Sequence, residues 1–441
     1  MQIAASSDNS LGGTASGKSL CLKKGALGGL AMSAPFYAEF FSWYWVASLA
    51  LPIIVFALIR RERVRAPHLA MLPAIVLLVA HAVALVYSHT PFAPLVFKDL
   101  VIASFLLFVY LLADEDLQAG FFAALIPLAI FAAVFGLVKA ALLDRGYLFG
   151  FILERCAYYP AGSAMCVNYN NLGMMWLVAA LGCMKTRFWW AIPLLVAAGA
   201  LSSSRRFIVL LAVLPFAWIW IEGRSALFKV ALVTLLSAGL IWVASDPASF
   251  ERYRHGAEPY KLLSLKDVVD KVVSGHPVSL VKDASVMINR STPGAMLSTM
   301  ADGTAGTASR LAFWQLGFSM LSWFPQGWSY HKVFSCAFSP CTVFNYPHMS
   351  VLAEWIIGGV LLGLVAIAFY IMPFWQLMRA RQPLPIILFL IALPYSLLSG
   401  DTVFSLPICL ACMLVALSSV SRRMSGMSNC NAQKNIYKLK D

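Results

Sequence analysis

The sequence predicts an all-α, polytopic integral membrane protein, and composition is the first observation behind that prediction. Hydrophobic residues make up 60% of the 441 residues and charged residues 12%, about half of the roughly 25% that is usual in globular proteins. The mean hydropathy is +0.77. A soluble fold cannot cover so much apolar surface with polar side chains, so the composition excludes soluble enzymes, disordered chains and nucleic-acid-binding modules.

The second observation is a series of apolar runs near the length of about 20 residues that a helix needs to cross a bilayer. Eleven such runs are bounded by charged or turn residues and predict eleven transmembrane helices. They lie near residues 38–59, 68–88, 97–113, 119–141, 171–184, 188–203, 207–222, 227–244, 349–372, 384–400 and 402–420. A weaker apolar stretch around residues 25–32 leaves a twelfth span open.

These spans divide the chain into five segments. Residues 1–35, rich in glycine, serine and alanine, are either flexible or contain the weak extra span. Residues 36–245 carry helices one to eight, and residues 246–348 form one long extramembrane segment. Residues 349–421 carry the last three helices, and residues 422–441 form a tail.

Basic residues in the short loops predict the orientation of the spans. Lysine and arginine number 33 against 20 acidic residues, a net charge of +13, and such an excess suits an anionic partner and positive loops on the inside. The basic loop residues recur at alternate crossings and are Arg60, Arg61, Arg63, Arg65, Lys185, Arg187, Arg224, Arg379, Arg381, Arg422 and Arg423. We assign these loops and the tail to the cytoplasm. The periplasmic face then carries residues 142–170, 202–206, 246–348 and 400–401.

The long periplasmic segment contains two amphipathic stretches, residues 260–273 and residues 308–324. In the first, apolar residues recur at intervals of three and four, as on one face of a helix. The second is rich in aromatic residues, namely Phe313, Trp314, Phe318, Trp323 and Phe324. Aromatic amphipathic helices favour the membrane interface. A small periplasmic cap packed on itself is the alternative.

Nine cysteines indicate the redox environment. Two local pairs lie on the predicted outer face, Cys156 with Cys166 and Cys336 with Cys341, and an oxidising periplasm would keep such pairs bonded. The cysteines in or beside spans are interpreted as small buried hydrophobic residues and not as metal ligands; they are Cys183, Cys409 and Cys412.

Arginines on the outer face are the first candidate site residues. Arg205 and Arg206 stand between two apolar runs, against the positive-inside bias and close to hydrocarbon, where charges are usually functional. The planar guanidinium group pairs well with phosphate oxygens, so we interpret both as diphosphate-binding. Arg310 adds to this site beside a predicted helix start that itself favours anions, and Arg155 is a further candidate. Snorkelling of Arg205 and Arg206 into the headgroups is the alternative.

His348 is the candidate catalytic residue. It lies where the periplasmic segment enters the ninth span, just after Pro347. A histidine at the bilayer edge can act as a general base on a hydroxyl. A purely structural role is the alternative, and three histidines of the same segment compete for the catalytic role: His255, His276 and His331.

Four short stretches occur in a fixed order along residues 150–360. They are Cys166-Val-Asn-Tyr-Asn-Asn-Leu-Gly173, Ser203-Ser-Arg-Arg206, Ala308-Ser-Arg-Leu-Ala-Phe-Trp314 and Tyr346-Pro-His-Met-Ser-Val-Leu-Ala-Glu-Trp-Ile-Ile-Gly358. Together with the topology, they resemble the O-antigen ligase and O-antigen polymerase superfamily.

The resemblance implies a glycosyltransferase of GT-C-like architecture in the bacterial inner membrane. Such an enzyme moves a polysaccharide from undecaprenyl diphosphate to an acceptor hydroxyl on the periplasmic face, without a metal, a cofactor or a nucleotide sugar. Arg205 and Arg310 would hold the diphosphate, and His348 would be the base. In-line attack at the anomeric carbon would invert its configuration. For a ligase the acceptor is lipid A-core.

Three other functions stay open. A polymerase of the same superfamily would use a second lipid-linked repeat unit as acceptor, and a protein O-oligosaccharyltransferase would use a protein. One long outer segment, instead of two comparable ones, favours the ligase. A transporter or lipid flippase belongs to a different class and would carry charges within several spans. The unusual charges here gather at one face instead.

The predicted orientation can be tested by labelling single cysteines from outside intact cells. Probes placed at Ser203 and Ser329 should react with a membrane-impermeant maleimide, whereas probes at Arg63 and Arg381 should not, because basic loops stay in the cytoplasm. The reverse labelling pattern would overturn the whole topology.

Overall fold

The computed structural model describes residues 28–38, 69–112, 117–143, 169–184, 186, 188–201, 207, 210–211, 213–214, 313–338 and 345–419. Throughout these ranges the regular structure is helical and no strand occurs. Within the described ranges, four helices are long and apolar enough to cross a membrane: Leu69–Tyr87, Ala93–Leu112, Leu117–Val138 and Ser350–Ala380. These findings support an all-α membrane protein. The full number of spans and the periplasmic assignment stay predictions.

We label eleven of the described helices. In chain order they are α1 (28–38), α2 (Leu72–Tyr87), α3 (Ala93–Leu112), α4 (Leu117–Leu143), α5 (Tyr169–Cys183), α6 (Ile192–Leu201), α7 (313–319), α8 (Tyr330–Phe338), α9 (Ser350–Ala380), α10 (Pro383–Leu397) and α11 (Pro407–Ser419). Short 3-10 turns at Leu69–Met71, Trp189–Ala191 and Gly327–Ser329 lead into α2, α6 and α8.

Eight of the predicted spans coincide with described helices, and the largest boundary error is at α9. This helix runs on to Ala380, past the predicted end at residue 372 and through Pro373. The prediction stopped early because proline usually ends or kinks a helix, although neighbouring helices allow it within membrane spans. Arg381 then closes α9 in the left-handed conformation, and its N–H donates to the carbonyl groups of Leu377 and Met378.

Packing divides the described helices into two groups. One group packs α9 against α2 and α10, with α3 beside α2, and the other packs α4, α5 and α6 together. Contacts between α5 and α10 join the two groups. Nearly every residue from 172 to 183 and in α11 is buried, and these stretches are predominantly apolar, as expected for helices enclosed by others.

The weak apolar stretch near residue 30 forms α1, which packs on the start of α4. A Cβ at Gly29 would lie only 2.1 Å from the carbonyl carbon of Gly120, so glycine permits a close backbone approach. The Tyr37 hydroxyl donates to the carbonyl oxygen of Ala124 at 2.8 Å. Because α1 supplies only about 16 Å of helix, its described part cannot cross the membrane.

The aromatic stretch predicted as an amphipathic helix over residues 308–324 is helical only over 313–319 in its described part. Residues 321–326 form a loop instead. This loop docks against α9 where that helix is broken at Gly359, whose φ is +69°. A Cβ at that position would lie 2.4 Å from the carbonyl oxygen of Trp323. The prediction failed here because this tertiary contact overrides helical periodicity.

The described cysteines agree with their predicted environments. Cys183, Cys409 and Cys412 are buried and not disulfide-bonded, which confirms their interpretation as small buried residues. Cys336 is disulfide-bonded. Its predicted partner, Cys341, and the pair Cys156 and Cys166 lie outside the described residues, so those pairings stay predictions.

Candidate functional site

The structure describes one of the five predicted site residues. His348 lies before α9, separated from it only by Met349. The four arginines assigned to the diphosphate lie outside the described residues, and their roles stay predictions: Arg155, Arg205, Arg206 and Arg310. Of the competing histidines, His331 is described, whereas His255 and His276 are not.

His348 has an unusual backbone conformation. Its φ is +54°, in the left-handed region that residues with a Cβ rarely adopt, at a cost of order 1 kcal/mol or more. The side chain is half-buried. Its ring centroid lies 4.2 Å from that of Tyr346 and 5.4 Å from that of Phe313. These two rings restrain the imidazole while leaving part of it accessible.

Tyr346 connects His348 to the turn between α10 and α11, residues 398–406, which we call the α10–α11 turn. Its hydroxyl donates to the carbonyl oxygen of Ser399 at 3.3 Å. Pro347 is buried and lies over α7. A Cβ added at Gly317 of α7 would lie 3.6 Å from the Cβ of Pro347. The position of His348 therefore depends on the α10–α11 turn and on α7.

Asp401 is the first buried carboxylate of the α10–α11 turn. The Tyr330 hydroxyl donates to one of its oxygens at 2.5 Å, and Nε2 of His331 lies 2.8 Å from the other. The backbone N–H of Asp401 donates to the Ser405 hydroxyl at 2.8 Å. Burial raises the pKa of Tyr330 well above its usual value, and the nearby Asp401 charge adds to that shift. The phenol therefore stays protonated and keeps its role as donor to Asp401.

His331 is held on both sides within this network. It is fully buried, and both ring nitrogens are engaged, Nε2 with Asp401 and Nδ1 with the Thr90 hydroxyl at 3.3 Å. A general base must reach the proton that it removes directly or through one water. A buried ring with both nitrogens occupied cannot do so, and His348 is the better placed of the two.

Glu354 is the second buried carboxylate, and it pairs with His81. Nε2 of His81 in α2 and Oε2 of Glu354 in α9 are 2.5 Å apart, and both side chains are fully buried. The other oxygen of Glu354 accepts the backbone N–H of Val403 at 3.1 Å. Glu354 thus joins α2 and α9 to the α10–α11 turn. Nδ1 of His81 has no hydrogen-bond partner in the described part of the chain.

Trp328 fills the space between the two histidine–carboxylate pairs. Its ring centroid lies 5.1 Å from that of His81 and 5.3 Å from that of His331. Its indole N–H donates to the carbonyl oxygen of His81 at 3.4 Å, and its backbone N–H donates to the Ser88 hydroxyl at 2.9 Å. One aromatic side chain therefore fixes the spacing of both pairs.

All of these contacts lie at one end of the helix bundle. The end of α2, the connection to α3, the start of α9 and the α10–α11 turn meet there, joined by α8. In the predicted orientation each of these points lies on the periplasmic side. The contacts and the predicted topology therefore agree with each other.

A polar cavity of about 110 Å³ opens beside this network. Lys98, Asp99, Asn171 and Ser405 contribute its polar lining, and the Lys98 ammonium lies 3.6 Å from the Asp99 carboxylate. Asn171 comes from the stretch 166–173 that contributed to the family resemblance. The cavity thus brings that stretch beside the α10–α11 turn.

Sequence reasoning selected His348 as a candidate, and that role stays a prediction, but it did not select the residues around it. His81 and Glu354 each carried one available signal, since an ionisable side chain inside an apolar span is usually functional or paired. Asp401 was placed on the outer face without a role. No signal in the sequence paired these residues, because His81 and Glu354 are 273 positions apart.

No model of a protein family matches the chain, and no curated protein and no solved structure matches it either. The observations that bear on function are therefore the geometry of the site and the resemblance of the four stretches.

The buried pair should contribute far more to stability than the partly exposed pair beside the cavity. We expect His81→Ala to lower the free energy of unfolding by about 3 kcal/mol or more, because it leaves the buried Glu354 carboxylate without its imidazole partner. Lys98→Ala is the matched control and should cost about 1 kcal/mol or less, since its ammonium is half exposed and solvent-screened. Equilibrium unfolding in detergent micelles would measure both, and equal losses would contradict the assignment.

Proposed function

We propose that this protein is a periplasmic-face glycosyltransferase that moves a polysaccharide from undecaprenyl diphosphate to lipid A-core, the reaction of an O-antigen ligase. The observation that carries the proposal is His348. Its half-buried imidazole is restrained between two aromatic rings at the end of the bundle where the long segment meets α9.

The proposed reaction needs a base at this position. His348 accepts the proton of the acceptor hydroxyl, and the oxygen attacks the anomeric carbon of the donor sugar. A new carbon–oxygen bond forms as the bond to the diphosphate breaks, and the electron pair leaves with undecaprenyl diphosphate. The proton passes from the imidazole to the leaving diphosphate or to solvent. Attack opposite the leaving group inverts the anomeric carbon.

Arginines supply the positive charge in this proposal. Arg205, Arg206, Arg310 and Arg155 are assigned to the donor diphosphate, whose charge grows as the sugar departs. Preorganised cations aimed at such developing charge lower the barrier, and the guanidinium group matches phosphate oxygens in shape. This division gives charge capture to arginine and proton removal to histidine.

The two buried carboxylates support the same assignment. Asp401 is hydrogen-bonded to the buried ring of His331. His348 is therefore the accessible histidine among the described residues of the network. Tyr346 joins His348 to the α10–α11 turn that both carboxylates hold. Catalytic groups act well only when packing keeps them in position, and this network supplies that rigidity.

One observation favours a second candidate, a proton-coupled transporter or lipid flippase. His81 and Glu354 are ionisable groups inside candidate membrane spans, and such groups often line proton pathways. Their position near one end of α2 and α9, together with the hydrogen bond to Val403, favours a positioning role instead. A polymerase of the same superfamily remains the alternative within the enzyme class.

Deletion of the gene tests the proposed function against these candidates. We expect lipopolysaccharide gels to show unmodified core without a ladder, while lipid-linked chains accumulate in the periplasmic leaflet. Core capped by single repeat units would indicate a polymerase. Accumulation in the cytoplasmic leaflet would indicate a flippase, and an unchanged ladder would refute all three.

The division between histidine and arginine can be tested with purified protein and a lipid-linked donor. His348→Ala should lower the transfer rate by roughly 10²- to 10⁴-fold, the usual contribution of a positioned base, and leave donor affinity nearly unchanged. Arg310→Ala should weaken donor binding as well, because it removes charge-assisted hydrogen bonds typically worth about 1.5–3 kcal/mol. Transfer and binding must be measured separately.

His89→Ala is the matched control for the histidine variant. His89 is exposed and lies at the same end of the bundle, between α2 and α3, so its loss should leave transfer unchanged. Near wild-type transfer by the His348→Ala variant would contradict the assignment of His348 as the base.

A further inference from the structure

Two aromatic side chains stand out in the loop of residues 321–326. Trp323 is 78% exposed and Phe324 is 77% exposed. Phe313 and Trp328, on either side of this loop in sequence, are buried. The loop therefore presents one exposed aromatic pair while its neighbours pack into the bundle.

The loop is fixed to α9. The backbone N–H of Gln326 donates to the carbonyl oxygen of Ile356 at 3.1 Å, and the indole N–H of Trp355 donates to the carbonyl oxygen of Ser322 at 3.1 Å. Both contacts lie just before the break at Gly359. The aromatic pair is therefore held at a defined level along α9.

The exposed surface of α9 begins at that same level. Before the break, most residues from Ser350 to Ile357 are buried. After it, apolar side chains are exposed at intervals of three and four, as on one helix face. They are Leu361, Leu364, Ile367, Ile371, Trp375 and Met378. Because α9 is a candidate membrane span, this stripe is the surface suited to lipid.

The length of the stripe matches a bilayer. From Gly359 to Trp375 the helix rises about 24 Å, close to the hydrocarbon thickness of about 30 Å. At the far end the Arg379 guanidinium lies 5.1 Å from the centre of the Trp375 ring. Tryptophan and arginine are both suited to the headgroup layer, so this pair marks one membrane boundary.

We propose that Trp323 and Phe324 mark the other boundary. They insert between the headgroups and the upper acyl chains of the bilayer leaflet at the site end of the bundle, and the partner is phospholipid. Tryptophan at this boundary is common in membrane proteins. The first turns of α9 then rise about 13 Å beyond the acyl chains, and they carry His348 to the level of the headgroups or above. The proposal does not depend on the proposed enzymatic function.

Photo-crosslinking in liposomes of phosphatidylethanolamine and phosphatidylglycerol tests the proposal. The full-length protein would carry p-benzoylphenylalanine in place of Phe324, and mass spectrometry would locate lipid adducts. We expect adducts on glycerol and upper acyl carbons, with a yield matching that of the same probe at Leu361, which is 74% exposed on the stripe. The same probe at Lys332, an exposed residue of α8, should give no lipid adduct above background.

A second measurement covers the case in which the probe disturbs the loop. Wild-type protein and Trp323→Phe would be compared in liposomes whose lipids carry bromine at shallow or deep acyl positions. The difference between the two emission spectra is the fluorescence of Trp323. Bromine at shallow acyl positions should quench it more strongly than bromine at deep positions. Adducts only to protein at position 324 would overturn the proposal. Quenching by neither brominated lipid would also overturn it. Stronger quenching by deep bromine would also overturn it, since the pair would then lie near the bilayer centre.

Discussion

Two buried carboxylates hold the end of the bundle together. Burying a carboxylate is costly unless donors surround it, and here the donors come from separate parts of the chain. Asp401 is bonded by Tyr330 and His331 of α8, and Glu354 by His81 of α2 and by the backbone of Val403. Separating any of these elements would leave a buried charge unpaired, so α2, α8, α9 and the α10–α11 turn form one unit.

That unit explains how a strained residue can persist. The left-handed backbone of His348 is unfavourable by itself, and such conformations survive only where the surrounding structure determines them. Tyr346 is hydrogen-bonded to the α10–α11 turn and packs against the imidazole of His348. The ring of Phe313 also packs against this imidazole. Contacts from several elements therefore hold His348 in one position, unlike an ordinary surface histidine.

Much of the architecture follows from composition and periodicity, whereas the network does not. Apolar runs predict most of the described helices because a bilayer requires helices of a given length. The loop at Trp323 could not be predicted, since its conformation depends on a break in α9 that is distant in sequence. His348 could be selected as a candidate from its place beside a span. Its supporting residues were not, because pairing a histidine in α2 with a carboxylate in α9 requires the three-dimensional structure.

The pairing of His81 with Glu354 also has a consequence for biogenesis. The histidine is synthesised 273 residues before its partner, which at about 5–20 residues per second amounts to a delay of roughly 14–55 s. Throughout that interval α2 must remain in the membrane with an unpaired imidazole. The carboxylate, which is harder to bury alone, emerges from the ribosome last and finds its partner already in place.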